Sequence, residues 1–422
     1  MKLTLRDQLT KFAQVMQTAL FPALEAQVGE MDETARRLVA VLEMIPLTRF
    51  VPCSGGWVGR PAKDRYGVAC AFVAKAVYGF SLTRQLLERL RQDAQLRRIC
   101  GWQAAWQVPH ESTFSRAFAE FAAMELPQFV HEALIREIYQ DRLVGHIARD
   151  STQIEAREHF PEKPPQAARA KESLFASDPA VELAAGPAVE GVAEPAVEGV
   201  PQTVPAKSSR RGPKGPPKRY KGGKPPVPRE GTRLERQRRM SLPEMLEELP
   251  RNCDIGSKKS SKGHQQYWRG YKLHLDVADG QVPISAVLTS ASVHDSQVAI
   301  PLATMSTQRV QYCYDLMDAA YDATHIAEQC RSLGHVPIID PVLRGKKPQD
   351  SFLPTKQRQL SWAEEERYKE RTMIERVNGR LKDEFGGRMI RVRGAAKVMA
   401  HLMFGVLALT VDQLLRLAAK GS

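Results

Sequence analysis

The stretch at residues 368–382, YKERTMIERVNGRLK, constrains this chain more than any other. It is rich in Glu, Arg and Lys and contains no proline, so it is predicted to be a helix. On a helix with about 100° per residue, one arc of about 60° holds Tyr368, Arg371, Glu375 and Lys382. A carboxylate flanked by two cations and a phenol is typical of a metal-binding acid that faces a polyanion. The alternative is a solvated face with helical ion pairs.

A neighbouring face of this helix is apolar. It carries Ile374, Val377, Leu381 and Phe385, and we expect these side chains to be buried. The helix would then hold Glu375 at the edge of a core, where its position is fixed.

Two upstream aspartates follow predicted strands. Asp150 comes after the apolar run 143–148, at the predicted end of that strand, and is followed by Ser-Thr. Asp318 comes after a predicted strand at 310–317 and begins Asp-Ala-Ala-Tyr-Asp. Together with Glu375 they give three carboxylates from two strand ends and one helix, and such oxygen ligands favour Mg²⁺ or Mn²⁺. Taken alone, Asp150 is also consistent with a turn residue or a helix cap.

The remaining elements predict an α/β fold. Strands at 267–277 and 282–288 form a hairpin around Asp279-Gly280, and a helix follows residues 291–296. A helix at 324–332 leads to a strand at 336–339, which should be parallel to its predecessor. The helix with Glu375 and a final apolar helix at 399–417 complete the order.

The spacing Tyr-x2-Arg-x3-Glu-x6-Lys, with Asp-Ser-Thr and Asp-x-x-Tyr-Asp upstream, resembles the signature of DDE transposases from bacterial insertion sequences. The resemblance covers residues 143–417 without the insert described below. It implies a ribonuclease-H-like mixed sheet flanked by helices, and two metal ions held by Asp150, Asp318 and Glu375. It also implies that Tyr368, Arg371 and Lys382 hold DNA phosphates. The implied activity is nicking of element ends and attack of the 3′-hydroxyl on target DNA by a homodimer.

This chain departs from the family pattern in two places. Ala319-Ala320 follow Asp318 where many relatives have a basic residue and glycine, and the connection before the Glu375 helix is short. Some relatives have a large β insert in that connection, which helps to form a DNA hairpin. In this chain Trp362 is the only tryptophan near enough to stack on a flipped base, so the resemblance does not extend to a hairpin route. The rival interpretations are a stand-alone ribonuclease-H-like nuclease and an inactive derivative that only binds DNA.

Charge and composition favour a nucleic-acid partner in the cytoplasm, near the nucleoid. The net charge is +13 and the pI is about 9.5. The first residues, MKLTLRDQLTKFAQ, lack the apolar run of a signal peptide, and the apolar stretch 402–411 is too short for a bilayer. Six cysteines without a Cys-x2-Cys pair argue against a zinc site or a disulfide framework.

Residues 1–140 are predicted to form an all-helical domain. Residues 66–78 form a buried helix, and Ser112 or a neighbour caps another that runs to about Ala123. The arginines among these helices favour a helix-turn-helix-like DNA reader, but a helical module that supports the next domain is an equal alternative. These arginines are Arg84, Arg89, Arg91, Arg97, Arg98 and Arg116. The stretch Pro-His-Glu-Ser-Thr-Phe-Ser is similar to one in the N-terminal domain of insertion-sequence transposases.

An insert at 158–261 is predicted to be largely disordered and to divide the catalytic domain into 141–157 and 262–422. Within it, PAVE recurs at residues 179, 187 and 195, a low-complexity composition that cannot form a core. The basic run 207–239 favours sequence-independent contact with phosphates over a merely solvated loop. His294-Asp295 either lines the catalytic site or begins the next helix, with Asp295 as its cap.

Overall fold

The structure, a computed structural model, describes residues 4–51, 64–158, 231–259, 264–340 and 360–419, which lie in one compact unit. The PAVE repeats at 179–200 and the basic residues from 207 to 230 lie outside these ranges, so their predicted roles stay predictions.

The described residues before the first strand are helical, as predicted. Eight α-helices occur there: α1 (Leu5–Val15), α2 (Phe21–Val28), α3 (Glu33–Met44), α4 (Arg65–Val77), α5 (Thr83–Gln92), α6 (Ala94–Ile99), α7 (Glu111–Ala123) and α8 (Leu126–Ile138). The cap of α7 is His110, whose Nδ1 accepts from the Ser112 N–H at 3.2 Å. Ser112 itself is therefore the second residue of the helix rather than its cap.

A six-stranded mixed sheet follows. Its strands are β1 (Leu143–Glu155), β2 (Asp254–Lys259), β3 (Gln265–Ala278), β4 (Val282–Ser290), β5 (Gln311–Met317) and β6 (Val336–Ile339). β1 pairs antiparallel with β3 and parallel with β5, which pairs parallel with β6. β2 and β4 both pair antiparallel with β3. This is the predicted ribonuclease-H-like arrangement, with the hairpin and the parallel crossover in their expected places.

Helices cover both faces of the sheet. The later helices are α9 (Arg233–Gln237), α10 (Leu242–Glu248), α11 (Ser296–Thr307), α12 (Thr324–Ser332), α13 (Trp362–Tyr368), α14 (Met373–Asp383) and α15 (Ala395–Ala419). Leu273 and Leu275 of β3 pack in one cluster with Val377 of α14. On the other face, Met317 of β5 packs with Ile300 of α11. The alternation of side chains along each strand supplies both apolar layers.

The final helix, α15, joins the helical and α/β parts. It is long and apolar enough to cross a membrane, but 89% of its most apolar window is buried inside the protein. Its Phe404 stacks on Phe72 of α4 at a centroid distance of 5.8 Å. A helix that is apolar on all sides is a core helix. The N-terminal helices and the sheet therefore share one continuous core across the predicted boundary at residue 140.

Two predictions of order need correction. β1 does not end at Asp150 but continues to Glu155, because the long strand β3 pairs with it as far as Gly270. Residues 231–259, assigned to the disordered insert, form α9, α10 and β2. They are ordered because Met245 and Leu249 are buried against the α11 side of the sheet, where Met245 packs with Ile300.

The end of the basic run is also part of the fold. Arg236 forms an ion pair with Glu248, and Arg238 Nη1 lies 2.5 Å from Glu328 Oε2 on α12. These two arginines are therefore occupied by carboxylates of the chain itself.

Residues 368–382 are not one uninterrupted α-helix. α13 ends at Tyr368, a 3₁₀ turn spans Lys369–Thr372, and α14 begins at Met373. The predicted buried face is confirmed: Ile374, Val377, Leu381 and Phe385 are each at most 1% exposed. The apolar face therefore survives the change of helix type.

Candidate active site

Asp150 and Asp318 lie side by side at the end of the parallel β1–β5 ladder. The last registered pair of that ladder is Arg149 and Met317, and the two aspartates come next. Asp318 keeps an extended backbone (φ −79°, ψ 178°), so it continues the line of β5. Neighbouring strands are about 4.8 Å apart. The sheet therefore brings together two carboxylates that are far apart in sequence.

Burial and mutual repulsion disfavour the charged forms of this acid pair. Burial raises the pKa of Asp150 to about 6, and the charges of Asp318 and Asp295 act in the same direction. Burial also raises the pKa of Asp318, although the Ala320 N–H and the Arg371 guanidinium oppose that rise. Two half-buried acids that repel each other form a site that a cation would stabilise.

A buried hydroxyl with no partner among the described residues lies within electrostatic reach of the pair. Tyr321, in the Asp-x-x-Tyr-Asp stretch, is 1% exposed, and its hydroxyl has no hydrogen bond within the described ranges. Its surroundings include Asp150, Asp318 and Asp295. Buried hydroxyls are normally hydrogen-bonded. A hydrated ion at the acid pair would supply the missing partner, so these residues fit a divalent metal.

Glu375 lies on the same side of the sheet but is bound to a cation. Its Oε1 accepts from Arg371 Nη2 at 3.0 Å, and the guanidinium lies 5.8 Å from the centre of the Tyr368 ring. Arg371 is also within electrostatic reach of Asp150 and Asp318. Three members of the predicted stripe thus form one cluster, with Arg371 between Glu375 and the acid pair.

The three acids do not form a ligand set in this conformation. Across the parts of the chain that the structure covers, no three His, Cys, Asp or Glu side chains are close enough to hold one ion. Glu375 is 59% exposed, and its carboxylate is engaged by Arg371. The arrangement is therefore two preformed metal-ligand candidates and a third that must leave its ion pair to join them.

Lys382 lies farther along α14, in a different environment. Its charged neighbours are Arg388, Lys258 and Glu155, with Asp383 beside it in the chain. Burial lowers the pKa of Lys382, and the charges of Arg388 and Lys258 lower it further. Lys258 on β2 also acts on Asp150 and Asp318. Sequence reasoning missed Lys258 because it placed this segment in the disordered insert.

Comparison with known families agrees with this geometry. Residues 231–411 match the model of the transposase DDE domain, and residues 23–120 match that of a transposase domain, DUF772. The chain belongs to the DDE transposases of insertion elements. No curated protein and no solved structure matches it. The DDE-domain match includes Asp318 and Glu375 but begins after Asp150, which the β1–β5 ladder places next to Asp318.

In this transposase, Asp295 occupies the N-cap position of α11, as one of the two predictions had it, but its side chain makes no capping hydrogen bond. The carboxylate instead accepts from Lys272 Nζ at 2.9 Å. The Ser151 hydroxyl donates to the same carboxylate. Asp295 therefore connects β3 to Ser151, the residue that follows Asp150. It is a neighbour of the acid pair, and its own charge is already paired with Lys272.

The transposase also holds a buried ion network beside Asp150. Arg149 is fully buried and donates two hydrogen bonds of 2.8 Å to Asp276 and one of 3.1 Å to Asp315. The Ser306 hydroxyl donates to Asp276 at 2.6 Å. Because Arg149 directly precedes Asp150, this network determines the position of β1 at the acid pair.

Proposed function

We propose that this transposase nicks DNA at the ends of its element and joins the freed 3′-hydroxyl to target DNA. Catalysis is assigned to Asp150, Asp318 and Glu375, on residues 141–157 and 231–422. The range starts earlier than the predicted 262 because α9, α10 and β2 are part of the fold. The observation that carries the proposal is that Asp150 and Asp318 directly follow the last registered pair of the β1–β5 ladder, within electrostatic reach of Arg371.

Asp150 and Asp318 would hold divalent Mg²⁺ or Mn²⁺, with two ions as the expected number. Such ions activate the attacking oxygen and stabilise the leaving one during in-line phosphoryl transfer. The raised pKa of both carboxyls supports this assignment, as does the Tyr321 hydroxyl, which has no partner in the part of the chain that the structure describes. Glu375 would join the pair once Arg371 is drawn to another anion.

The scissile phosphate is that anion. A guanidinium binds phosphate through two parallel hydrogen bonds, so Arg371 can exchange a carboxylate for a phosphate at little cost. Tyr368 packs beside Arg371 and limits its orientation, and Lys382 would supply a point charge to a neighbouring phosphate. DNA binding would therefore release Glu375. We expect a homodimer that bridges two ends and acts on cytoplasmic, nucleoid DNA.

Nicking of an end-labelled duplex in Mg²⁺ or Mn²⁺ tests the acid assignment. Asp318→Asn and Glu375→Gln should each lower the rate by at least about 1,000-fold, because each removes a metal ligand. DNA binding in EDTA should persist in both variants. Asp383→Asn is the matched control, since Asp383 is an exposed acid on the same helix, and it should nick normally. Normal nicking by Asp318→Asn or Glu375→Gln would refute the assignment.

Joining of a pre-nicked, labelled end to unlabelled plasmid separates transposition from simple hydrolysis. A transposase yields a labelled product of plasmid size, whereas a stand-alone nuclease yields only shortened fragments. An inactive DNA-binding derivative yields neither and would show no metal-dependent change in the substrate.

A further inference from the structure

The connection between α14 and α15, defined to include the first turn of α15 (residues 384–397), carries exposed cations that have no function in the catalytic proposal. Residues 385–411 contain no Asp or Glu, yet Arg388, Arg391, Arg393 and Lys397 all occur there. All four side chains are exposed. Arg388 forms an ion pair with Asp383. Within the ranges that the structure covers, Arg391, Arg393 and Lys397 have no carboxylate partner.

This connection is held in place by its backbone and its apolar residues. The Gly387 N–H donates to the Leu381 carbonyl at 2.9 Å, and the Gly394 N–H donates to Glu158 Oε1 at 2.7 Å. Ile390 is 5% exposed and Val392 packs against the same core. Arg391 and Arg393 alternate with these two anchors, so their guanidinium groups are directed away from the core. The cations are thus presented by an ordered segment.

Electrostatic interactions link these cations to the acid pair. Lys258 acts on Asp150 and Asp318, and Lys258 and Arg388 both act on Lys382. The exposed residues of the connection follow directly in the chain. Repulsion among these like charges costs free energy that a polyanion lying along them would offset.

We propose that the α14–α15 connection, through Arg391, Arg393 and Lys397, binds the backbone of the duplex that flanks the cleaved phosphate. The position of the cleaved phosphate in this inference rests on the proposed function, whereas the binding of DNA by these cations does not. Cations on one exposed segment contact phosphates rather than base edges, so the contact is independent of sequence. Element ends and unrelated duplexes should therefore use it equally.

The test is the salt dependence of DNA affinity in EDTA, for the full chain and for Arg391→Ala/Arg393→Ala/Lys397→Ala. A plot of log K against log salt has a negative slope, and each lost phosphate contact makes that slope less steep by about 0.9. The slope of the triple variant should therefore be less steep than that of the wild type by about 2 to 3. Affinity at moderate salt should fall about tenfold or more, equally for an element-end duplex and a scrambled one. An unchanged slope overturns the proposal, and a loss confined to the element end assigns base reading instead and also overturns it.

Two controls keep the result interpretable. Arg36→Ala/Arg49→Ala/Arg136→Ala removes the same charge from exposed arginines that have carboxylate partners, and it should leave the slope within about 0.5 of wild type. An equal loss in this control would reduce the effect to net charge and overturn the proposal. Arg391→Lys/Arg393→Lys retains both charges and should restore the slope. Because EDTA prevents cleavage, failure of this surface and failure of the catalytic assignment give different results.

Discussion

The N-terminal helices and the α14–α15 connection are both rich in arginine, but more of the N-terminal arginines have carboxylate partners. Among the described N-terminal helices, four ion pairs join residues four apart: Arg37–Glu33, Arg84–Glu88, Arg89–Asp93 and Arg136–Glu132. Arg97 donates to the carbonyls of Leu90 and Arg91. The connection has three exposed cations without such partners within the covered ranges. The count of basic residues therefore does not distinguish the two regions, whereas the absence of nearby acids does.

This difference bears on the two interpretations of the N-terminal part. Of the arginines that favoured a DNA reader, Arg84 and Arg89 have carboxylate partners, and Arg98 donates to the Gln27 carbonyl. Their pairing favours a supporting role for this region, and α15 packs against it as part of the core. DNA reading by these helices stays a prediction, and the substitutions below test how far the contrast holds.

Arg149 differs most from the exposed cations of the connection, because it is fully buried and both of its ion pairs lie inside the fold. Arg149→Met would leave Asp276 and Asp315 buried without their cation, so it should lower the free energy of unfolding by about 3–5 kcal/mol. Urea unfolding followed by circular dichroism measures this loss. Adding Asp276→Leu and Asp315→Leu should recover much of it, because an apolar triad carries no buried charge. A loss below about 1 kcal/mol for Arg149→Met would show that the network is not structural.

The acid pair should act on stability in the opposite direction. Asp150→Asn removes a half-buried charge, so the metal-free variant should be more stable than wild type at pH 8 by about 2 kcal/mol. In an unfolded chain this carboxyl has its ordinary pKa of 3.8, but in the fold its pKa is about 6. The folded state binds more protons in that window, and wild-type stability falls as pH rises through it.

The pH series checks this explanation. Thermal unfolding in EDTA should show the stabilisation by Asp150→Asn at pH 7–8 and little of it near pH 4, where Asp150 is protonated in the fold and only partly ionised in the unfolded chain. Ser151→Ala is a neighbouring control that keeps the carboxyl, so it should not reproduce this pH dependence. Stabilisation of equal size at pH 4 and pH 8 would contradict electrostatic repulsion as the cause.

Local patterns predicted the elements around the site well. Alternation and turn residues placed β3, β5, α12 and β6 within about two residues of their observed bounds, because these signals lie inside each element. The apolar face of α14 was predicted for the same reason. The family signature pointed to Asp150, Asp318 and Glu375 before any strand pairing was known.

What the sequence could not predict depends on distant partners. β1 extends past Asp150 because β3, more than 100 residues later, pairs with it. α10 looks like a short charged segment, and only burial of Met245 beside α11 makes it a stable element. The ion pair between Glu375 and Arg371 is predictable from their spacing of four residues. That the acid pair also attracts Arg371 is visible only in the three-dimensional structure.

The smallest effect is also the sharpest test of the contrast between paired and unpaired cations. Arg84→Ala removes an exposed arginine, 77% accessible and paired with Glu88, so it should change the free energy of unfolding by no more than about 0.5 kcal/mol. If paired arginines do not contact DNA, the salt slope of binding stays at the wild-type value. A drop of about 0.9 would mean that DNA displaces Glu88 and that the N-terminal helices bind phosphate despite their ion pairs. Glu88→Ala then decides the matter: it frees Arg84, so affinity rises only if that guanidinium reaches the DNA.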